Sequence, residues 1–169
     1  MRKIYLQIAI SFLIMTSTQF AAAKENGRFG LGVVVGGPTA MTGKYWLSRE
    51  AAIDGGLAFS YSDYVLVYGD YLKHYPRPFK NSDPFFSNID FYMGVGANLV
   101  VTTNDRYNND NYLGKKSGSV GLGVRVPFGL EWQPADPPIG VFLEIVPGIS
   151  VIPSTSVVVQ GGLGIRYYF

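Results

Sequence analysis

Seven charged residues, Lys44, Asp54, Asp70, Arg125, Glu131, Glu144 and Arg166, stand among glycines and apolar residues on one parity of a two-residue alternation. Three are cations and four are anions, and that near-balance points to a structural network of ion pairs, because charges persist away from water only when they are paired. The rival chemistry is a polar conduit for small solutes. It needs an open lumen, and whether the fold leaves one depends on how many strands enclose these residues.

Catalysis has little to draw on. The chain has one histidine, His74, and no cysteine, so thiolate nucleophiles, thiolate metal sites and disulfides are excluded. A lipid A deacylase or a surface protease needs a base near the outer rim with a serine or carboxylate in reach. Counting strands from a periplasmic N-terminus puts His74 beside a proline-rich connection at the periplasmic end, where it reads as a solvated loop residue. The run Asn104 to Asn111 is rich in Asn and Asp but lacks the glycine and terminal glutamate of a calcium loop. Glycine strings at 30–37 and 161–164 lack the helix and the following lysine or serine of a phosphate loop. No catalytic residue, metal site or cofactor is therefore expected. A net charge of +2 without a basic cluster also gives no reason to expect a nucleic-acid partner.

The elements that must position the seven charges are strands. Residues 28–36 alternate Phe29, Leu31, Val33 and Val35 with Gly30, Gly32, Val34 and Gly36, the period of a strand with unlike faces. A turn at 38–43 precedes a short second strand at 44–48, and a third runs over 51–60. The fourth, 64–73, is apolar on both parities, and Asp70 orients it with Val65, Val67 and Tyr71 outward. Residues 74–88 carry Pro76, Pro78 and Pro84 and read as neither helix nor central strand. The fifth strand is 89–101, followed by a polar loop at 102–117. The sixth, 118–132, holds seven apolar residues in register from Val120 to Trp132. A short seventh strand at 140–146 and a loop at 147–155 lead to the last, 157–169.

Alternation alone would suit a soluble barrel as well as a membrane one. The non-greasy face decides between them: it is mostly glycine with isolated charges, poor as a water-facing surface but suited to a narrow lumen. Four segments reach the 9 to 11 or so residues that a spanning strand needs, and eight segments satisfy the even count of single-chain bacterial barrels. Aromatic residues near strand ends, Phe29, Tyr45, Tyr61, Tyr64, Trp132, Tyr167 and Phe169, suit the headgroup level. At the start, Arg2 and Lys3, an apolar stretch at 4–15 and Ala21-Ala22-Ala23 follow the plan of a secretory signal, so 1–23 is expected to be cleaved, leaving a barrel domain at 24–169.

The expected fold is thus all-β, an eight-stranded antiparallel up-and-down transmembrane barrel of the bacterial outer membrane. Terminal Phe169, with Tyr167, Ile165 and Leu163 at alternate positions before it, resembles the C-terminal signature by which such barrels are passed to the barrel-assembly machinery. Gly30 to Val33, Lys44 to Leu47, Asp70 to Leu72, Arg125 to Pro127, Phe142 to Glu144 with Pro147, and Gly164 to Phe169 together resemble a family of small barrels. Its spirochaetal members are linked to binding host complement factor H. The resemblance implies a surface-interaction role lodged in loops, with an extracellular protein as ligand. The expected partners are outer-membrane lipid, the assembly machinery and that ligand, with the chain a monomer. The other functions kept open are a lipid-modifying enzyme and a narrow solute channel.

Overall fold

In a computed structural model of the chain, residues 27–59, 64–79, 83–102 and 120–169 are described. Nine strands follow in order: β1 (Phe29–Gly37), β2 (Ala40–Trp46), β3 (Ala51–Phe59), β4 (Tyr64–Pro76), β5 (Ile89–Thr102), β6 (Val120–Arg125), β7 (Phe128–Trp132), β8 (Ile139–Ile152) and β9 (Ser156–Tyr168). A single helical turn, α1 (Pro84–Ser87), lies between β4 and β5. Every pairing is antiparallel between chain neighbours, β9 pairs with β1, and β6 and β7 both sit between β5 and β8. Hence β6 and β7 are halves of one strand, broken at Val126-Pro127. The eight resulting staves close a ring and leave no free sheet edge, so nearly every strand amide has a partner.

The first and last strands begin and end at one rim, the terminal rim, where the Phe169 amide donates to the Phe29 carbonyl. The turns at 47–50, 77–88 and 133–138 share this terminal rim. The turns at 38–39 and 153–155 belong to the opposite one, as do the strand ends Phe59, Tyr64, Thr102 and Val120.

Several boundaries differ from the sequence reading. Strand β2 begins at Ala40, because the turn is confined to Pro38 and Thr39, and Thr42 and Gly43 pair on both sides. Strand β4 continues through His74 and Tyr75 to Pro76, which lies opposite Asp90. The proline-rich stretch that follows contains α1, begun by Pro84 at a position where its missing N–H costs nothing. The largest change is in β8. It runs through Pro147 to Ile152, so residues 147–152 are strand and only 153–155 turn. Pro147 fits because it faces the break in the neighbouring stave, where Arg125 pairs with Gly148 and Phe128 with Ile145, and the Val126 amide still donates to the Pro147 carbonyl. Residues 1–26 and 103–119 lie outside the described part, and with them the signal segment and nearly all of the expected polar loop.

The two faces of the wall differ sharply. Outward positions carry exposed apolar side chains along every stave, among them Val35, Met41, Tyr71, Val95, Leu143, Val159 and Leu163, with Val157 75% exposed. An apolar surface of this extent is far beyond the patches that soluble monomers show. Inward positions hold the polar and charged residues, and glycines there make room for large neighbours. A Cβ at Gly164 would stand 2.1 Å from the Phe142 ring, and one at Gly129 would stand 2.3 Å from that of Tyr92.

A candidate functional site in the barrel lumen

The inward residues fall into three layers. Nearest the terminal rim is an aromatic layer of Trp46, Tyr92 and Tyr168 with Ala52 and Leu72. His74 belongs to it, at 1% exposure, its ring centroid 4.4 Å from that of Trp46 and 5.1 Å from that of Tyr92. The expectation of a solvated loop histidine is therefore corrected. Because β4 runs three residues further than Pro76 and Pro78 suggested, His74 takes an inward register position opposite Tyr92. Nearer the opposite rim lies an apolar layer of Val34, Ala40, Ala58, Leu66 and Val100, onto which Tyr68 and Phe142 pack.

Between these layers lie the seven charged residues predicted to face inward, and all seven are buried. Lys44 Nζ donates to Glu131 Oε2 at 2.5 Å, and both side chains are fully buried. The Tyr168 hydroxyl donates to Glu131 Oε1 at 2.7 Å, while Arg166 Nη1 lies 4.0 Å from that oxygen. Arg166 Nη2 donates to Asp54 Oδ2 and to Thr42 Oγ1, each at 2.8 Å. In the second group, which adjoins the first where Asp70 lies opposite Asp54 on neighbouring staves, Arg125 Nε stands 3.0 Å from Asp70 Oδ1, an ion pair off the hydrogen-bonding axis, and Nη2 stands 3.6 Å from Glu144 Oε1. The Tyr92 hydroxyl donates to Glu144 Oε2 at 2.8 Å.

Each cation also faces an aromatic ring. Lys44 Nζ lies 4.3 Å from the Trp46 centroid, Arg125 lies 3.9 Å from that of Tyr68, and Arg166 lies 4.0 Å from that of Phe142. Desolvated in this way, a cation gains from the ring as well as from its carboxylate.

The sequence reading omitted Asp90, Thr42 and Gln160 from the polar set. Asp90 is buried on the parity of Tyr92, and Thr42 on the parity of Lys44, so alternation alone could have placed both. Gln160 Oε1 accepts from Arg125 Nη1 at 3.4 Å. Beside it, Asn98, Arg125, Ser150 and Gln160 border a cavity of about 20 Å³, room for a single water. Among the described residues no cluster of three or more His, Cys, Asp or Glu could hold a metal ion.

At the terminal rim, the Lys73 ammonium on β4 bonds Glu50 at 2.7 Å and holds its carboxyl below the usual range. Five of the seven aromatic residues expected near strand ends gather at this rim. Phe29, Tyr45, Tyr167 and Phe169 project outward here from β1, β2 and the end of β9, and Trp132 ends β7 at the same level. Tyr64 instead turns inward and packs on the apolar layer, because β4 places it on the parity of Leu66. Tyr61 lies outside the described residues. Leu163, Ile165, Tyr167 and Phe169 all face outward.

The sequence profile of a family described as "Protein of unknown function (DUF3996)" matches residues 21–169. The chain belongs to this family. No curated protein matches the sequence. Among solved structures, this DUF3996 chain is similar to the N-terminal β-barrel domain of Pseudomonas aeruginosa OprF, with a TM-score of 0.56 and 14% identity over 84% of this chain and 96% of that one. At that identity the likeness shows the fold, a β-barrel of eight staves, in agreement with the architecture expected from alternation. Weaker likenesses join it to Neisserial surface protein A (TM-score 0.48, 15% identity, 83% and 93% covered) and to the outer membrane enzyme PagL (0.43, 12%, 85% and 100%).

Proposed function

We propose that this chain is a small monomeric β-barrel of the bacterial outer membrane, inserted with its terminal rim toward the periplasm, where it acts as a structural or surface-interaction protein without catalysis. The observation that carries this reading is the inversion of the wall: apolar side chains outside, a paired charge network inside. Lipid is the solvent that suits such an exterior. At about 3.3 Å per residue and a tilt near 40°, the nine residues of β1 and β3 rise about 23 Å, close to the apolar band of about 25 Å such barrels present, and the 13 of β9 rise about 33 Å and exceed it.

The layered lumen supports a structural role for Lys44, Asp54, Asp70, Arg125, Glu131, Glu144 and Arg166, since aromatic and apolar layers close the charge layer on both sides. A conduit would need those layers to part. His74, enclosed by Trp46 and Tyr92, has no route to a substrate in either leaflet, which favours binding over hydrolysis. The outward row Leu163, Ile165, Tyr167 and Phe169 serves recognition by the assembly machinery. A protein ligand, complement factor H among the candidates that family resemblance raises, would be held by the opposite rim, above all by the connection at 103–119.

Refolded protein in a planar bilayer tests this reading. The expected record is flat, without stepwise conductance, and incubation with lipid A or phospholipid releases no fatty acid. Regular conductance steps would replace it with the channel reading, and fatty-acid release abolished by His74→Ala would replace it with the enzyme.

A further inference from the structure

The turn between β4 and β5 exposes more aromatic surface than a water-facing connection can justify. Its geometry is set locally: the Asp83 carboxylate accepts from the Phe85 amide at 2.8 Å, the Asp83 carbonyl accepts from Ser87, and the Phe85 carbonyl accepts from Asn88. This capped turn holds Phe85 at 53% exposure and Phe86 at 37%, and Phe79 before it stands at 43%. The rings are mutually engaged, Phe79 with Phe86 at 6.0 Å, Phe86 with Phe85 at 5.5 Å, and Phe85 stacked on Trp132 at 5.8 Å. Trp132 closes the outward row of β7, and beside it Tyr75 and Phe91 pack at 6.0 Å on the outer faces of β4 and β5. The patch therefore lies against the outside of the wall and is continuous with its apolar band.

We infer that Phe79 and the helical turn α1, with Phe85 and Phe86, form an interfacial membrane anchor set into the headgroup boundary of the phospholipid leaflet at the terminal rim. The inference rests on the outer-membrane reading and names how one end of the barrel is fixed in its lipid. Continuity with Trp132 and with the outward ring of Phe29, Tyr45, Tyr167 and Phe169 selects lipid as the occupant, since all lie at this rim. Among the described side chains, outward positions near the opposite rim include the aliphatic Val35, Met41, Val151 and Val157. Aromatic rings favour that depth because one part of the interface is apolar and the other wet.

Single-tryptophan variants test the inference. In a Trp46→Phe, Trp132→Phe background, Phe85→Trp reports on the turn, Phe86→Trp repeats the reading at its neighbour, and Val95→Trp on the outer face of β5 reports on insertion of the barrel itself. Each is refolded into phosphatidylcholine and phosphatidylglycerol vesicles, and its fluorescence is quenched with shallow-brominated lipid, deep-brominated lipid or aqueous iodide. The expected result is strong quenching of the turn tryptophans by shallow bromines with little loss to iodide, and quenching of Val95→Trp by deep bromines. If Val95→Trp responds to lipid while the turn probes respond to iodide alone, or to neither quencher, the anchor is overturned and the membrane barrel stands. If no probe responds to brominated lipid, both are overturned.

Discussion

Removing Glu131 should be the most damaging single truncation in the lumen. Its carboxylate is fully buried and receives the Lys44 ammonium at 2.5 Å and the Tyr168 hydroxyl at 2.7 Å, with Arg166 4.0 Å away. Glu131→Ala leaves Lys44 as a buried cation without its bonded carboxylate, and half-broken buried pairs cost about 3–5 kcal/mol. The stranded Tyr168 hydroxyl adds about 1–3 kcal/mol where no water replaces the acceptor. A loss of about 4–8 kcal/mol, divided by a urea slope of about 2 kcal/mol per molar, lowers the unfolding midpoint by about 2–4 M. Urea titration in detergent micelles, read by tryptophan fluorescence and by the compact band on unboiled gels, measures it. Lys44→Met should cost less, because Glu131 keeps Tyr168 and Arg166. The double variant Lys44→Met, Glu131→Leu should recover most of the loss, since both desolvation penalties vanish together. A Glu131→Ala midpoint equal to that of the wild type, or a double variant as unstable as the two singles summed, would refute the network as a coupled unit.

Three further outcomes follow from the same geometry. Glu144→Ala should lower stability by about 3 kcal/mol, less than Glu131→Ala, because Arg125 retains Asp70 at 3.0 Å while the Tyr92 hydroxyl loses its acceptor; the same urea titration ranks the two. Gly164→Ala puts a methyl group 2.1 Å from the Phe142 ring that covers Arg166, so a loss of about 1–3 kcal/mol is expected, whereas Gly69→Ala on the open outer wall should fall within about 0.5 kcal/mol of wild type. Deleting Asn104 to Tyr112 should leave the compact gel form intact and remove binding of any extracellular protein ligand, measured by pull-down on whole cells; retained binding would move the ligand site to another connection.

Much of the barrel was legible from alternation, for a physical reason. A two-residue period with one glycine-rich face is forced by the pleat, and it put Lys44, Asp54, Asp70, Arg125, Glu131, Glu144 and Arg166 inside before any contact was known. Proline and glycine were what misled. Pro147 and the Thr42-Gly43 pair look like turn residues, yet Pro147 meets the break at Val126-Pro127 and Gly43 lies in the middle of β2. Pro76 and Pro78 likewise hid the last residues of β4, and with them the burial of His74. Pair identities were not legible at all, because they depend on the stagger between staves: Lys44 meets Glu131 across 87 residues and Arg166 meets Asp54 across 112. The gathering of Phe29, Tyr45, Trp132, Tyr167 and Phe169 at one rim was equally hidden, since strand ends of opposite direction read alike in sequence.

The central claim, a barrel folded in the outer membrane, is tested most directly by gel migration of the protein from fractionated cells. The account predicts that the chain co-sediments with purified outer membranes, runs as a compact band when unboiled and shifts to its full apparent mass of about 16 to 18.5 kDa on heating. Recovery in the soluble periplasmic fraction, with one migration whether heated or not, would contradict it.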